Sequence, residues 1–68
     1  SDFKNVSDIY TLKIFDINGR LVTELLNSRL SAGNYSVRFN AADLPSGVYI
    51  YRLSNTRLSV SKKLMLLK

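Results

Sequence analysis

The chain has neither cysteine nor histidine among its 68 residues. Without cysteine, no disulfide or thiolate metal site can reinforce it, although many exported bacterial domains also do without them, so the compartment stays open. Without histidine, it lacks the side chain most used for proton transfer near neutral pH and for binding transition metals. No apolar run approaches the roughly 20 residues that cross a bilayer as a helix. No signal peptide opens the chain, so an export address would lie on a longer precursor. Acidic residues also run out early: none follows Asp43.

That last absence organises the charge. Residues 1–43 hold five acids (Asp2, Asp8, Asp16, Glu24, Asp43) and five bases (Lys4, Lys13, Arg20, Arg29, Arg38). The net charge of +5 therefore sits entirely in Leu44 to Lys68, on Arg52, Arg57, Lys62, Lys63 and Lys68. A basic end steers toward nucleic acid, anionic lipid or an acidic protein surface. Alternatively, its lysines guard an edge strand from aggregation. Strand-forming residues continue to the end of this stretch, where domains more often fray into a polar tail.

Hydrophobic content of 46% is that of a globular domain. At this length the chain is one domain, 1–68, with a core of marginal size. The apolar period is mostly two: Tyr10, Leu12 and Ile14 alternate with polar or outward positions, as do Tyr35, Val37 and Phe39. Both segments read as half-buried antiparallel strands. Asn18-Gly19 predicts a type I′ hairpin turn into the segment from Arg20 to Leu26. That segment also fits helical spacing through Leu21, Val22, Leu25, Leu26 and Leu30, but local hairpin pairing favours a strand. Gly33 and the Pro45-Ser46-Gly47 turn punctuate the rest, and Gly19, Gly33 and Gly47 are expected to supply turn geometry. The last strand places Leu58, Val60, Lys62, Leu64 and Leu66 on one side, and Lys62 interrupts that face, which predicts a bulge near Lys62-Lys63. Beyond it both faces are apolar, as for a strand covered on two sides or gripped by a partner. Five strands at this spacing predict a small antiparallel sandwich. Its expected core is Leu12, Ile14, Val22, Leu25, Tyr35, Val37, Phe39, Val48, Ile50, Leu53, Leu64 and Leu66.

Nothing assembles into a catalytic or cofactor site. Asp16, Glu24 and Asp43 are isolated and sit beside turns or on wet faces, whereas acid–base work needs converging carboxylates. Serines have no histidine to activate them. Asp16-Ile17-Asn18-Gly19 contains fragments of a calcium loop without its later ligands or closing glutamate, and a hairpin turn explains it better. No metal or cofactor is expected. Tyr49 and Tyr51 share a strand face and, with Arg52 and Arg57, could stack bases or line a sugar surface. The plainer reading is a core rim with wet hydroxyls. The phenylalanine- and glycine-rich RNA-binding signatures are missing, so no nucleic-acid partner is expected.

Four segments in order carry a family resemblance. Ile14-Phe15-Asp16-Ile17-Asn18-Gly19-Arg20-Leu21-Val22 resembles the I-Y-D-x-x-G-R-x-V hairpin of C-terminal sorting domains of the bacterial type IX secretion system. Leu30 to Val37 resembles that family's L-x-A-G-x-Y-x-V segment, and Leu44 to Leu53 its L-x-S-G-V-Y-x-Y-R-L segment. Lys62 to Lys68 resembles its lysine-plus-hydrophobic ending. The resemblance covers roughly residues 10 to 68 and implies an all-β, immunoglobulin-like antiparallel sandwich lacking its first strand, for which Phe3-Lys4-Asn5-Val6 is the candidate remnant. The Asn-Pro pair with which the family usually begins is missing, so the N-terminal part reads as trimmed. The immunoglobulin-like domain of flagellar hook-capping proteins shares much of the pattern, but usually places Trp-Asp-Gly where this chain has Phe39-Asn40-Ala41. A structural or carbohydrate-binding accessory module of a secreted enzyme is the alternative from another class.

The resemblance further implies a noncatalytic signal that directs a large N-terminal cargo across the outer membrane in Bacteroidota-type bacteria. Its partners would be the outer-membrane translocon, shuttle proteins and a surface sortase, and edge-strand pairing would permit a homodimer. The protein would cross the periplasm and end outside the cell or on its surface. The expected recognition residues are Leu44, Ser46, Gly47, Val48 and Tyr49, together with Lys62, Lys63, Leu64, Met65, Leu66, Leu67 and Lys68. Asn18, Gly19, Gly33 and Gly47 would set turn geometry.

Overall fold

Alternating apolar residues between turn formers produce four strands: β1 (Ser7–Asp16), β2 (Leu21–Ser31), β3 (Gly47–Ser54) and β4 (Ser59–Leu66). They are seen in a computed structural model, which describes residues 7–31 and 33–68; the Phe3 to Val6 segment lies outside them. No helix occurs among the described residues, so the segment with two competing periods is a strand. The strands form one open antiparallel sheet in the order β2-β1-β3-β4. This is the expected all-β class, and it has the form of part of a small immunoglobulin-like sandwich.

Both hairpins turn on a side-chain acceptor. In the first, the Gly19 N–H donates to the Asp16 carbonyl (3.0 Å) and the Asp16 N–H to the Arg20 carbonyl (2.9 Å). The Asp16 carboxylate accepts from the N–H groups of Asn18 (2.9 Å) and Arg20 (3.0 Å). Gly19 has φ 84°, and no described non-glycine residue has positive φ. A type I′ turn needs positive φ at Asn18 as well, so the turn is instead a three-residue loop with a left-handed glycine last. Asp16 holds the ordinary part of the turn, which leaves only Gly19 in a conformation that penalises a side chain. Asn55 does the same between β3 and β4, its side-chain oxygen accepting from Arg57 (2.8 Å) and Leu58 (2.7 Å).

The expected strand at Tyr35 to Asn40 does not form. β2 and β3 both run antiparallel to β1, so the chain between them must pass over β1, both of whose sides are already paired. Passing over β1, the crossing meets a strand paired on both sides, so its residues find no strand edge there to join. Their alternation serves packing instead, as Tyr35, Val37 and Phe39 all line a groove against the sheet. Among the described residues, four strands stand in place of the expected five.

Burial is concentrated. Ile14, at 2% exposure, and Tyr49, at 6%, are the buried core among the described residues. Leu12, Val22, Leu25, Phe39, Val48, Ile50, Leu64 and Leu66 are half-buried, whereas Tyr35, Val37 and Leu53 are exposed rather than core. A single sheet buries fully only what lies at its centre, and Ile14 on β1, opposite Tyr51 on β3, occupies that position. The bulge expected at Lys62-Lys63 is missing, because β3 and β4 pair without a register shift from Gly47↔Leu66 to Ser54↔Ser59. The irregularities fall in the β1–β2 pairing, at Leu12/Lys13 and Ile14/Phe15.

Candidate recognition surface

The hydrogen-bonded turn before β3 falls at Ala41 to Leu44 rather than at the expected Pro45-Ser46-Gly47, where the chain only bends at Ser46 before β3 begins. The Asn55 turn then returns it antiparallel as β4. Pairing then brings the two predicted recognition segments side by side: Gly47 opposite Leu66, Val48 opposite Met65 and Tyr49 opposite Leu64. Ile50 faces Lys63 and Tyr51 faces Lys62. Because successive side chains alternate across a strand, Lys62 stands on the Tyr51 face and Lys63 on the opposite one. Both are exposed, as are Met65 (66%) and Leu67 (80%), while Leu64 and Leu66 are half-buried. β4 is thus covered on one face only, and the expectation of a strand buried on both sides does not hold.

Lys68 behaves differently from the other two lysines. Its Nζ donates to the Ala42 carbonyl (2.7 Å) and its backbone N–H to the Ser46 hydroxyl (3.1 Å). Ala42 sits in a turn closed by the Leu44 N–H on the Ala41 carbonyl (3.1 Å), and the Asn40 side chain accepts from the Ala42 N–H (3.1 Å). Lys68 therefore ties the end of β4 to the crossing segment, and Leu44 and Ser46 join the surface through it.

Tyr49 anchors this surface from beneath. Its hydroxyl donates to the Pro45 carbonyl (2.8 Å), so it is neither wet nor free to stack on a base, contrary to a solvated rim. Tyr51 is half-buried beside the groove, and Arg52 lies over the Phe15 ring on the other face, 5.0 Å from its centroid. Arg52 is thereby turned away from Tyr51, and the base-stacking arrangement of two tyrosines and an arginine is not assembled. Asp16 and Glu24, considered as acid–base candidates, are also occupied, the first in its turn and the second facing Lys13 at 4.0 Å.

A groove of about 640 Å³ runs between the sheet and the crossing segment, lined by Tyr10, Leu12, Leu26, Tyr35, Phe39 and Tyr51 among others. One tether escaped sequence reasoning. Asp8 accepts from the Thr56 hydroxyl (2.7 Å) and the Thr56 N–H (3.3 Å), joining the start of β1 to the β3–β4 turn. The Thr56 hydroxyl bond, with help from the Ile9 N–H and nearby Arg57, holds the Asp8 carboxyl below its ordinary range. A contact spanning 48 positions leaves no local pattern, whereas the Asn55 turn follows an asparagine preference readable from sequence.

The sequence matches the family described as the secretion system C-terminal sorting domain over residues 2–67. No curated protein and no solved structure gives a significant match. The family match does not favour an accessory module or a hook-capping role. Spanning nearly the whole sequence, it places this chain in the secretion system C-terminal sorting domain family, a noncatalytic signal for type IX secretion of a cargo protein.

Proposed function

We propose that the β3–β4 hairpin, with the stretch from Lys62 to Lys68, is the part of this signal that the secretion machinery reads. A sorting domain of this kind is recognised by that machinery, shares a precursor with its cargo, and belongs to a protein bound for the outer membrane or cell surface. The finer reading concerns where and by what. Residues 1–68 act as one sorting unit, carried through the periplasm by shuttle proteins to the outer-membrane translocon and then handed to a surface sortase. The observation that carries the reading is the pairing of Gly47 to Tyr51 with Lys62 to Leu66. It makes one surface of two separate motifs, and Lys62 and Lys63 stand exposed on its two faces. Leu44 and Ser46 border it, and the half-buried Leu64 and Leu66 hold it to the sheet.

The experiment is transfer of export. Residues 1–68 are fused behind a periplasmic reporter in cells that possess the translocon, and folding of the fusion is checked by protease resistance. Reporter in the medium or on the cell surface is the expected outcome. A folded fusion retained in the periplasm would overturn the reading of 1–68 as a sufficient unit.

A further inference from the structure

The two edges of the sheet are not alike. β2 forms one edge and carries both irregularities of the β1–β2 pairing, which leave Leu25 and Val22 without direct partners on β1. Bulges of this kind twist an edge and break the even spacing of its N–H and C=O groups, which discourages another strand from joining. β4 forms the other edge and keeps one continuous register across all eight of its residues. Among the described residues it has a neighbouring strand on one side only. Every second residue of such a strand turns its N–H and C=O outward, in regular order.

The side chains of β4 say what would join it. Lys62 and Lys63 sit at its centre, one on each face, and Val60 (50% exposed) and Met65 (66%) flank them. A second copy of the chain is a poor occupant. In a full-length antiparallel pairing of two β4 strands, Lys62 of one copy would stand opposite Lys63 of the other, and like charges directly opposed destabilise a sheet. We infer that β4 is a docking edge for an extended acidic segment of a partner protein. That segment adds a fifth strand, with adjacent acidic residues opposite Lys62 and Lys63 and apolar or β-branched residues to either side. Main-chain hydrogen bonds supply the affinity and the alternating side chains the selectivity. This inference rests on the reading of β4 as the recognised strand and names the chemistry of the partner.

The test uses the ¹⁵N-labelled chain and three synthetic peptides. The first carries two adjacent central glutamates in an alternating threonine–valine frame. The second replaces the glutamates with lysines. The third is the first peptide with its backbone nitrogens methylated on one edge. The acidic peptide is expected to shift the amide signals of Ser59 to Leu66 and to bind more weakly as salt rises. The lysine and N-methylated peptides are expected not to bind at the same concentrations. Lys62→Gln with Lys63→Gln should weaken the acidic peptide about 3- to 10-fold while the spectrum of the folded chain persists. Equal binding by the N-methylated peptide would reduce the effect to charge attraction and overturn strand addition. Shifts centred on Leu21 to Ser31, no shifts at all, or self-association of the chain through β4 would overturn it equally. Secretion of the reporter fusion is scored in parallel. Loss of secretion in the glutamine variant without peptide binding by the parent would reject the docked strand yet leave recognition of β4 standing.

Discussion

The chain turns the same kind of corner twice. Gly33 and Gly47 have φ of 157° and 156°, and two residues beyond each stands a tyrosine whose hydroxyl donates to a carbonyl four residues back. Tyr35 reaches Ser31 at 2.7 Å and Tyr49 reaches Pro45 at 2.8 Å. Yet Tyr35 is 55% exposed and the residues after it form no strand, whereas Tyr49 is 6% exposed and opens a strand paired on both sides. Matching local chemistry has different outcomes because β1 and β4 stand on either side of β3, while the chain after Tyr35 crosses over strands already paired. Local pattern sets the corner, and the availability of a free edge decides whether a strand forms after it.

Truncating the two rings should separate the corners most sharply. Tyr49→Ala is expected to cost about 3–5 kcal/mol, as for other large buried aromatics, enough to unfold a domain of marginal stability. Tyr35→Ala should leave a cooperative thermal transition measurable by circular dichroism. Comparable losses at both would show that the crossing segment is as deeply integrated as β3. The glycines give a smaller contrast. A β-carbon at Gly47 would meet nothing within 4 Å, so Gly47→Val pays for conformation alone, about 1–3 kcal/mol. An unchanged melting temperature would show that valine occupies this conformation freely. Removing only the hydroxyls is the finest test. Tyr49→Phe should cost about 1 kcal/mol, the usual worth of a hydrogen bond within a protein. Tyr35→Phe, whose bond is exposed, should cost less than half of that. Equal shifts would mean that burial does not distinguish the two bonds.

The same contrast explains what sequence alone could reach. The strands containing Ile14, Leu25, Ile50 and Leu64, the hairpin after Asp16 and the charge imbalance after Asp43 were legible because each rests on near neighbours. The two segments proposed for recognition were legible separately, and the Asn55 turn makes them adjacent. Tyr35, Val37 and Phe39 misled because period two marks a face that packs, and a strand also needs a partner for its backbone. The bulge expected at Lys62 failed because an exposed lysine on a half-covered edge costs little, so nothing forces the register to shift. The bonds of Asp8 to Thr56 and of Lys68 to Ala42 join positions distant in sequence, where no sequence period operates.

On the proposed reading, two differences between the hairpins separate scaffold from signal. The β1–β2 hairpin has balanced charge and an irregular edge, and the β3–β4 hairpin is basic with a regular one. The secretion machinery, as proposed, recognises the second. The direct measurement compares two double variants of the reporter fusion, Lys62→Gln with Lys63→Gln and Lys13→Gln with Arg29→Gln. Each removes two exposed or half-exposed charges, and surface charges of this kind contribute at most about 1 kcal/mol each to stability, so both variants should melt near the parent. Secretion lost in the β4 variant and kept in the β1–β2 variant is the predicted result. Secretion at the parental level in both, or equal loss in both with folding intact, would contradict it.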